Sequence, residues 1–228
     1  MRTLAAELRE TAREAPVLLV AALCGWAVLI GIHSLPAIAA ICAPTLGRLR
    51  FAGLAAAAAL TRDASPRFLL STSAMILAMM APLLRMPLTQ VWHRSLAQRR
   101  TRAVVLFTLG YGVPWIITLA TLTYLAMCVR ALTAGQPELA LLAIGALTVL
   151  WQASPLKRRC LAGCHARRPL RAFGHAADFD AVHFGVTAAL WCIGTCWALM
   201  LLALMLSHAH LLGMAAITAV MLSERSRF

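Results

Sequence analysis

Residues 191–200 read WCIGTCWALM and place Cys192, Cys196 and Met200 at intervals of four. Side chains four apart share one face of a helix, so the three sulfur atoms are expected to form a single stripe. Thiolate and thioether ligands together favour Cu(I) among biological metals. A second sulfur-rich stretch, SAMILAMMAPLLRMP at 73–87, sets Met75 and Met79 on one face, with Met80 adjacent and Met86 near the far end. The third, SPLKRRCLAGCHARRP at 154–169, holds Cys160, Cys164 and His165 as a C-x3-C-H array among several cations. Neighbouring positive charge is expected to favour the thiolate, the form that binds metals. That spacing suits a helical metal clip for copper or zinc, although it is not the C-x2-C of zinc ribbons. His208 and His210 add an H-x-H pair in SHAHLL.

Each of these has a plainer alternative. Methionine is a flexible apolar filler, and cysteine is a common small buried residue. Cys192 and Cys196, flanking Gly194, could simply allow close helix packing. Cys160 and Cys164 could be ordinary reduced thiols, and loop histidines are usually inert.

Other chemistries lack their parts. Nucleophile elbows, phosphate-binding glycine loops and H-E-x-x-H helices are missing from the sequence. Beyond the N-terminal segment the only acids are Asp63, Glu138, Asp178, Asp180 and Glu224, and none falls inside a confident apolar run. That argues against paired-carboxylate catalysis and against proton coupling through intramembrane carboxylates. No enzymatic activity is expected.

The elements that must position these sulfurs follow from composition. Of 228 residues, 61% are hydrophobic and 13% charged, about half the charged share of a soluble domain. The expected fold is all-α: a polytopic transmembrane helix bundle with about six spans. A short amphipathic segment, 1–15, precedes one bundle over 16–228, with spans near 16–38, 67–84, 103–129, 137–153, 181–207 and 209–223. The alanine-rich stretch 51–60 suits an interfacial helix or an extension of the second span.

The formal charge of +13 lies between the apolar runs, with no single basic domain. It suits loops facing anionic lipid, so the expected partner is the bilayer and no nucleic acid. With both termini inside, 16 of the 21 basic residues face the cytoplasm, leaving Arg48, Arg50, Arg62, Arg67 and Arg130 outside. At 1.5 Å per residue, Cys192 lies roughly 16 Å and Met75 roughly 15 Å from the cytoplasmic ends of their spans. The two stripes can therefore meet near the midplane.

MILAMMAP (75–82), GYGVPW (110–115), WQASPLKRRCLAGC (151–164) and WCIGTCWALM (191–200) occur here in an order that resembles one family. Its members are small bacterial integral membrane proteins of predicted metal-binding character, also described as copper chaperones linked to polyphenol oxidase-type enzymes. The resemblance covers residues 67–224 and implies a site drawn from Met75, Met79, Met80, Cys160, Cys164, Cys192, Cys196 and Met200. The family often has C-x-G-C-C-W in the fifth span, whereas this chain has Thr195 before Cys196. Three-sulfur binding through Cys192, Cys196 and a methionine is the arrangement expected here.

The expected function is Cu(I) handling in the bacterial inner membrane, with delivery to a copper-dependent enzyme or another membrane subunit. Cys160, Cys164 and His165 would collect the ion, the buried Met/Cys stripe would hold it, and His208 and His210 would release it. The rivals are a membrane thiol–disulfide protein and a structural or assembly subunit without metal. Topology can be tested directly: a reporter fused after Phe228 should read cytoplasmic and one near His208 should read outside. Reversed readings at both points would overturn the charge-bias assignment.

Overall fold

Two of the apolar runs end at prolines in sharp bends. The computed structural model describes residues 16–34, 66–133, 136–166, 169–171, 173–206 and 210–225, and every regular element among them is helical. In chain order these are α1 (Pro16–Ser34), α2 (Pro66–Met80), α3 (Arg85–Arg94), α4 (Arg100–Leu132), α5 (Pro137–Ala153), α6 (Pro155–Cys164), α7 (Gly174–Met205) and α8 (His210–Arg225). Proline has no N–H to donate and crowds the preceding turn. Pro82 accordingly opens a 3-10 turn, Pro82–Leu84, beyond α2, and the chain bends by 56° there on its way into α3. Pro155 has a similar effect after α5. Ser154 is extended, its hydroxyl accepts the Lys157 N–H at 3.1 Å, and α6 leaves at 66°. A serine cap with proline at the first helical position makes a firm helix start.

The all-α expectation holds. Among the described residues, however, only Ala97–Leu132 and Gly174–Met205 are long and apolar enough to cross a bilayer. The number rises to four if each bent pair is taken as one span, still short of the expected six. The expected span 16–38 runs past the described residues, as do segments 1–15 and 51–60. α8 has 16 residues, a length of roughly 24 Å against a hydrocarbon core of about 30 Å.

α7 is the centre, packed against α4, α5, α6 and α8. It runs parallel to α4: Arg99 donates to Gly174 O at 3.0 Å near one end, and Arg130 donates to Leu204 O at 2.9 Å near the other. The first end is held further by ion pairs. Arg99 and Arg102 share Asp178 at 2.7 Å each, and Arg171 grips Asp180 with two nitrogens at 2.7 and 2.8 Å. Between these ends the two backbones touch. A Cβ on Gly110 would stand 2.5 Å from Val182 O, and one on Gly185 would run into the Phe107 carbonyl. Small residues at a crossing allow this approach. Val105, Leu109 and Val113 on α4, Leu142 and Leu150 on α5, and Leu190 on α7 are exposed, so the outward faces are apolar too.

Two glycines of α4 should therefore respond in opposite ways to the same change. Gly110→Ala puts a methyl group against α7 and should lower the melting temperature, by the about 1–3 kcal/mol typical of overpacking. Gly112→Ala meets nothing within 4 Å and should be neutral, or stabilising by up to about 1 kcal/mol through helix propensity. Melting of the purified protein in detergent measures both. Equal effects would mean that the α4–α7 crossing is not close.

Candidate metal centre

The sulfur stripe of α7 points inward. Cys192, Cys196 and Met200 are all buried, at 2%, 3% and 0% exposure. Between the cysteines sits Thr195, whose hydroxyl donates to Cys192 O at 2.7 Å and lies 3.1 Å from Cys196 Sγ. A hydroxyl has one proton to give, so the Cys196 thiol is the donor in the second contact. The Cys192 thiol points at Met80 Sδ across 3.8 Å, joining the end of α2 to α7. Met75 and Met79, about one turn apart on one face of α2, are buried in the same apolar core as Met200. Met80 is the methionine whose sulfur meets a cysteine.

The bend at Pro155 brings the C-x3-C-H array to this same place. α6 lies across α7: a Cβ on Gly194 would stand 2.6 Å from Cys160 Sγ, and Gly163 backs onto the Trp191 indole. Trp151 at the end of α5 locks the crossing by donating from Nε1 to Gly194 O at 3.0 Å, and its ring meets Trp197 edge-on at 5.1 Å. Cys164 is near enough to feel the charges of Cys160 and Cys192 and to hydrogen-bond Thr195. Two clusters that read as separate along the chain, one in a loop and one in a span, adjoin in the fold.

The expected thiolate character of α6, a ten-residue helix beyond the apolar α5, is reversed. Burial raises the Cys160 thiol, and burial together with the nearby Cys192 and Cys160 pushes Cys164 up to about 12. Of the neighbouring cations, Arg158 and Arg159 are exposed. Lys157 is buried and spends its charge on Glu224 at 2.5 Å. Arg225, which donates to Cys164 O at 3.5 Å, opposes the rise at Cys164 without cancelling it. His165 ends α6 with Nδ1 3.0 Å from Leu161 O. A carbonyl can only accept, so Nδ1 carries the proton and Nε2 keeps the lone pair that a metal would take. His208 and the side chain of His210 lie outside the described residues.

Three further groups border the sulfurs. Thr195, Arg225 and Tyr111 all interact with the cysteines. Tyr111 is 3% exposed, and its Oη has no hydrogen-bond partner among the described residues. Its place inside the apolar run VVLFTLGYGVPW was the available signal, because a phenol buried among hydrocarbons normally has a partner. The six described cysteines, Cys24 and Cys128 included, are free thiols. Among the described residues no three His, Cys, Asp or Glu side chains converge as a formed metal site. The sulfurs are neighbours, and gathering them on one ion requires side chains to turn.

A family model described as PpoB2, copper chaperone, matches residues 70–227, more than half of the chain. No curated protein and no solved structure matches.

The raised thiols make a measurable claim. With metal absent at pH 8, iodoacetamide should label Cys164 slowly, as read by peptide mass spectrometry against the same protein unfolded in denaturant. Because a raised pKa withholds the thiolate until high pH, Cys164 labelling should climb as pH approaches about 12. Fast labelling at neutral pH would show that the cations prevail over burial.

Proposed function

We propose, since the chain belongs to the PpoB2 copper-chaperone family, that it is a membrane-embedded carrier which takes Cu(I) into the sulfur cluster where α6 crosses α7. The observation that carries this reading is that α6 seats Cys160 against Gly194, between Cys192 and Cys196 on α7, while Met80 meets Cys192. Soft thiol and thioether donors from three helices suit Cu(I) better than a harder ion. Cys192, Cys196 and Met80 are the proposed holding set. Cys160, Cys164 and His165 Nε2 are the proposed receiving set. Copper passes between the two by ligand exchange, which spares it the desolvation cost of a bare ion in an apolar interior. Met75, Met79 and Met200 extend the soft lining, and a copper-dependent enzyme outside is the proposed recipient. The role is carriage rather than turnover.

The apolar outward faces of α4, α5 and α7 support placing the bundle in a membrane, and the proposed setting, the bacterial inner membrane with both termini cytoplasmic, rests on the Lys/Arg bias of the loops. α6 carries Arg158 and Arg159 exposed, a residue type that can reach lipid phosphates. The parallel course of α4 and α7 suits two crossings in the same direction with one return between them.

Purified protein from copper-fed cells should retain about one Cu(I) per chain, as the softness of the donors predicts. Cys192→Ser/Cys196→Ser should lose it, and Arg94→Ala should keep it. Zinc alone, lost with Cys160→Ser, would assign a zinc clip to α6 instead. Met80→Leu and Met75→Leu/Met79→Leu keep volume and should cost less than about 1.5 kcal/mol in stability, so lost copper in them reports a lost ligand. Met127→Leu on α4 is the packing control. Unchanged copper in every methionine variant would leave the stripe as packing. A disulfide trapped between cysteines in metal-free protein from cells would favour the thiol–disulfide alternative.

A further inference from the structure

The chemistry of loading leaves a charge to be balanced, and the groups around Cys192 bear on it. When Cu(I) takes two neutral thiols, two S–H bonds break, two Cu–S bonds form and two protons leave to water. The ion brings one positive charge and the thiolates two negative ones, so the bound unit is a monoanion. Met80, a neutral thioether, does not change that sum. A net charge in an apolar interior is strongly unfavourable unless it is paired.

Two groups can meet it. Lys157 at the α6–α8 junction is already neutralised by Glu224 at 2.5 Å. Arg225, the next residue on α8, has no acid partner among the described residues. Its guanidinium donates to Cys164 O at 3.5 Å and acts electrostatically on both Cys164 and Cys192. From the other side, α4 presents Tyr111 next to Cys192. The ring stacks with Phe107 at 6.3 Å, which phenylalanine would do equally well, and the buried hydroxyl lies beside the Cys192 sulfur without a hydrogen bond of good geometry. An unpaired buried hydroxyl destabilises the metal-free protein, and a thiolate formed at Cys192 would give it a charged acceptor.

We propose that Tyr111 and Arg225 are the charge-balancing half of the sulfur site, and that together they set its preference for a monovalent soft cation. The inference rests on the copper reading above. The Tyr111 O–H donates to the metal-bound Cys192 thiolate, and Arg225 brings the loaded site to neutrality. With the same two thiolates and Arg225, a divalent zinc ion leaves one positive charge uncompensated. Discrimination therefore comes from charge as well as from ligand softness. Both are positioning residues and neither is a ligand.

Full-length protein, wild type and variant, would be titrated with Cu(I) against a chromogenic chelator under reducing conditions, and with Zn(II) in parallel. Metal-free melting curves would be recorded for each. Tyr111→Phe removes only an unpartnered hydroxyl, so the metal-free protein should melt no lower than wild type. Its Cu(I) affinity should nevertheless fall about tenfold, the worth of one hydrogen bond to a charged group. Arg225→Gln should weaken Cu(I) and narrow the Cu(I)-over-Zn(II) gap, and Arg225→Lys should restore most of both. Tyr111→Phe with unchanged Cu(I) affinity overturns the proposal, as does equal loss in Arg225→Gln and Arg225→Lys, which would mark a purely structural contact. If Arg225→Gln fails to fold, Tyr111→Phe decides alone. Wild-type protein that binds no Cu(I) defeats the copper reading itself, an outcome distinct from a variant that binds as well as wild type.

Discussion

α6 can lie against α7 only because two glycines withhold their side chains, one on each helix. Gly194 makes room for the Cys160 sulfur and Gly163 for the Trp191 ring. Without them the crossing would widen by about a methyl diameter, and Cys160 and Cys164 would be carried away from Cys192 and Cys196. The other contacts at the crossing depend on that approach. Trp151 can reach the Gly194 carbonyl, Lys157 can reach Glu224, and Arg225 can reach Cys164 O because α6 is seated close. Gly110 and Gly185 serve α4 and α7 in the same way, so the core is built from backbone contact as much as from side-chain volume.

Close seating sets the chemistry as well. A thiol beside arginines on the surface would ionise early, whereas burial withholds solvent and keeps Cys164 protonated. The metal-free protein thereby avoids holding several anions in one apolar pocket. Thr195 and Met80 accept from the Cys196 and Cys192 thiols, and a soft cation must displace those protons to enter. An ion that binds this way also contributes to the stability of the arrangement it gathers.

Much of the framework was legible in the sequence, because long apolar runs and four-residue spacing are local properties. The helical class, the long apolar helices α4, α5 and α7 and the inward stripe of Cys192, Cys196 and Met200 follow from them. What escaped depends on direction and depth. Ser154–Pro155 announces a break but says nothing of where the next helix goes, so Cys160 and Cys164 read as a separate loop cluster. The cations beside them suggested thiolates because sequence shows adjacency and not burial. Met75 and Met79 drew attention by sharing a face, while Met80, the sulfur that meets Cys192, differs from Met79 by one step around the helix. Tyr111 lay unnoticed in GYGVPW because an orphaned hydroxyl is a property of surroundings. Among the described residues two helices are long and apolar enough to cross a bilayer, or four if each pair bent at Pro82 and Pro155 is one span, and hydropathy alone does not show those bends.

The ion pair between Lys157 and Glu224 joins residues 67 positions apart, and that separation orders events in time. During synthesis α6 leaves the ribosome before α7, the helix against which it buries, and well before the α8 residues that clamp it. Until then Cys160 and Cys164 are bare thiols beside arginines, the setting in which they ionise and react most readily. The nascent chain is thus more open to oxidation and stray metal than the folded protein. Seating of α6 against α7 is the step that ends this exposure, so a helix made later than the cysteines of α6 decides when they become safe.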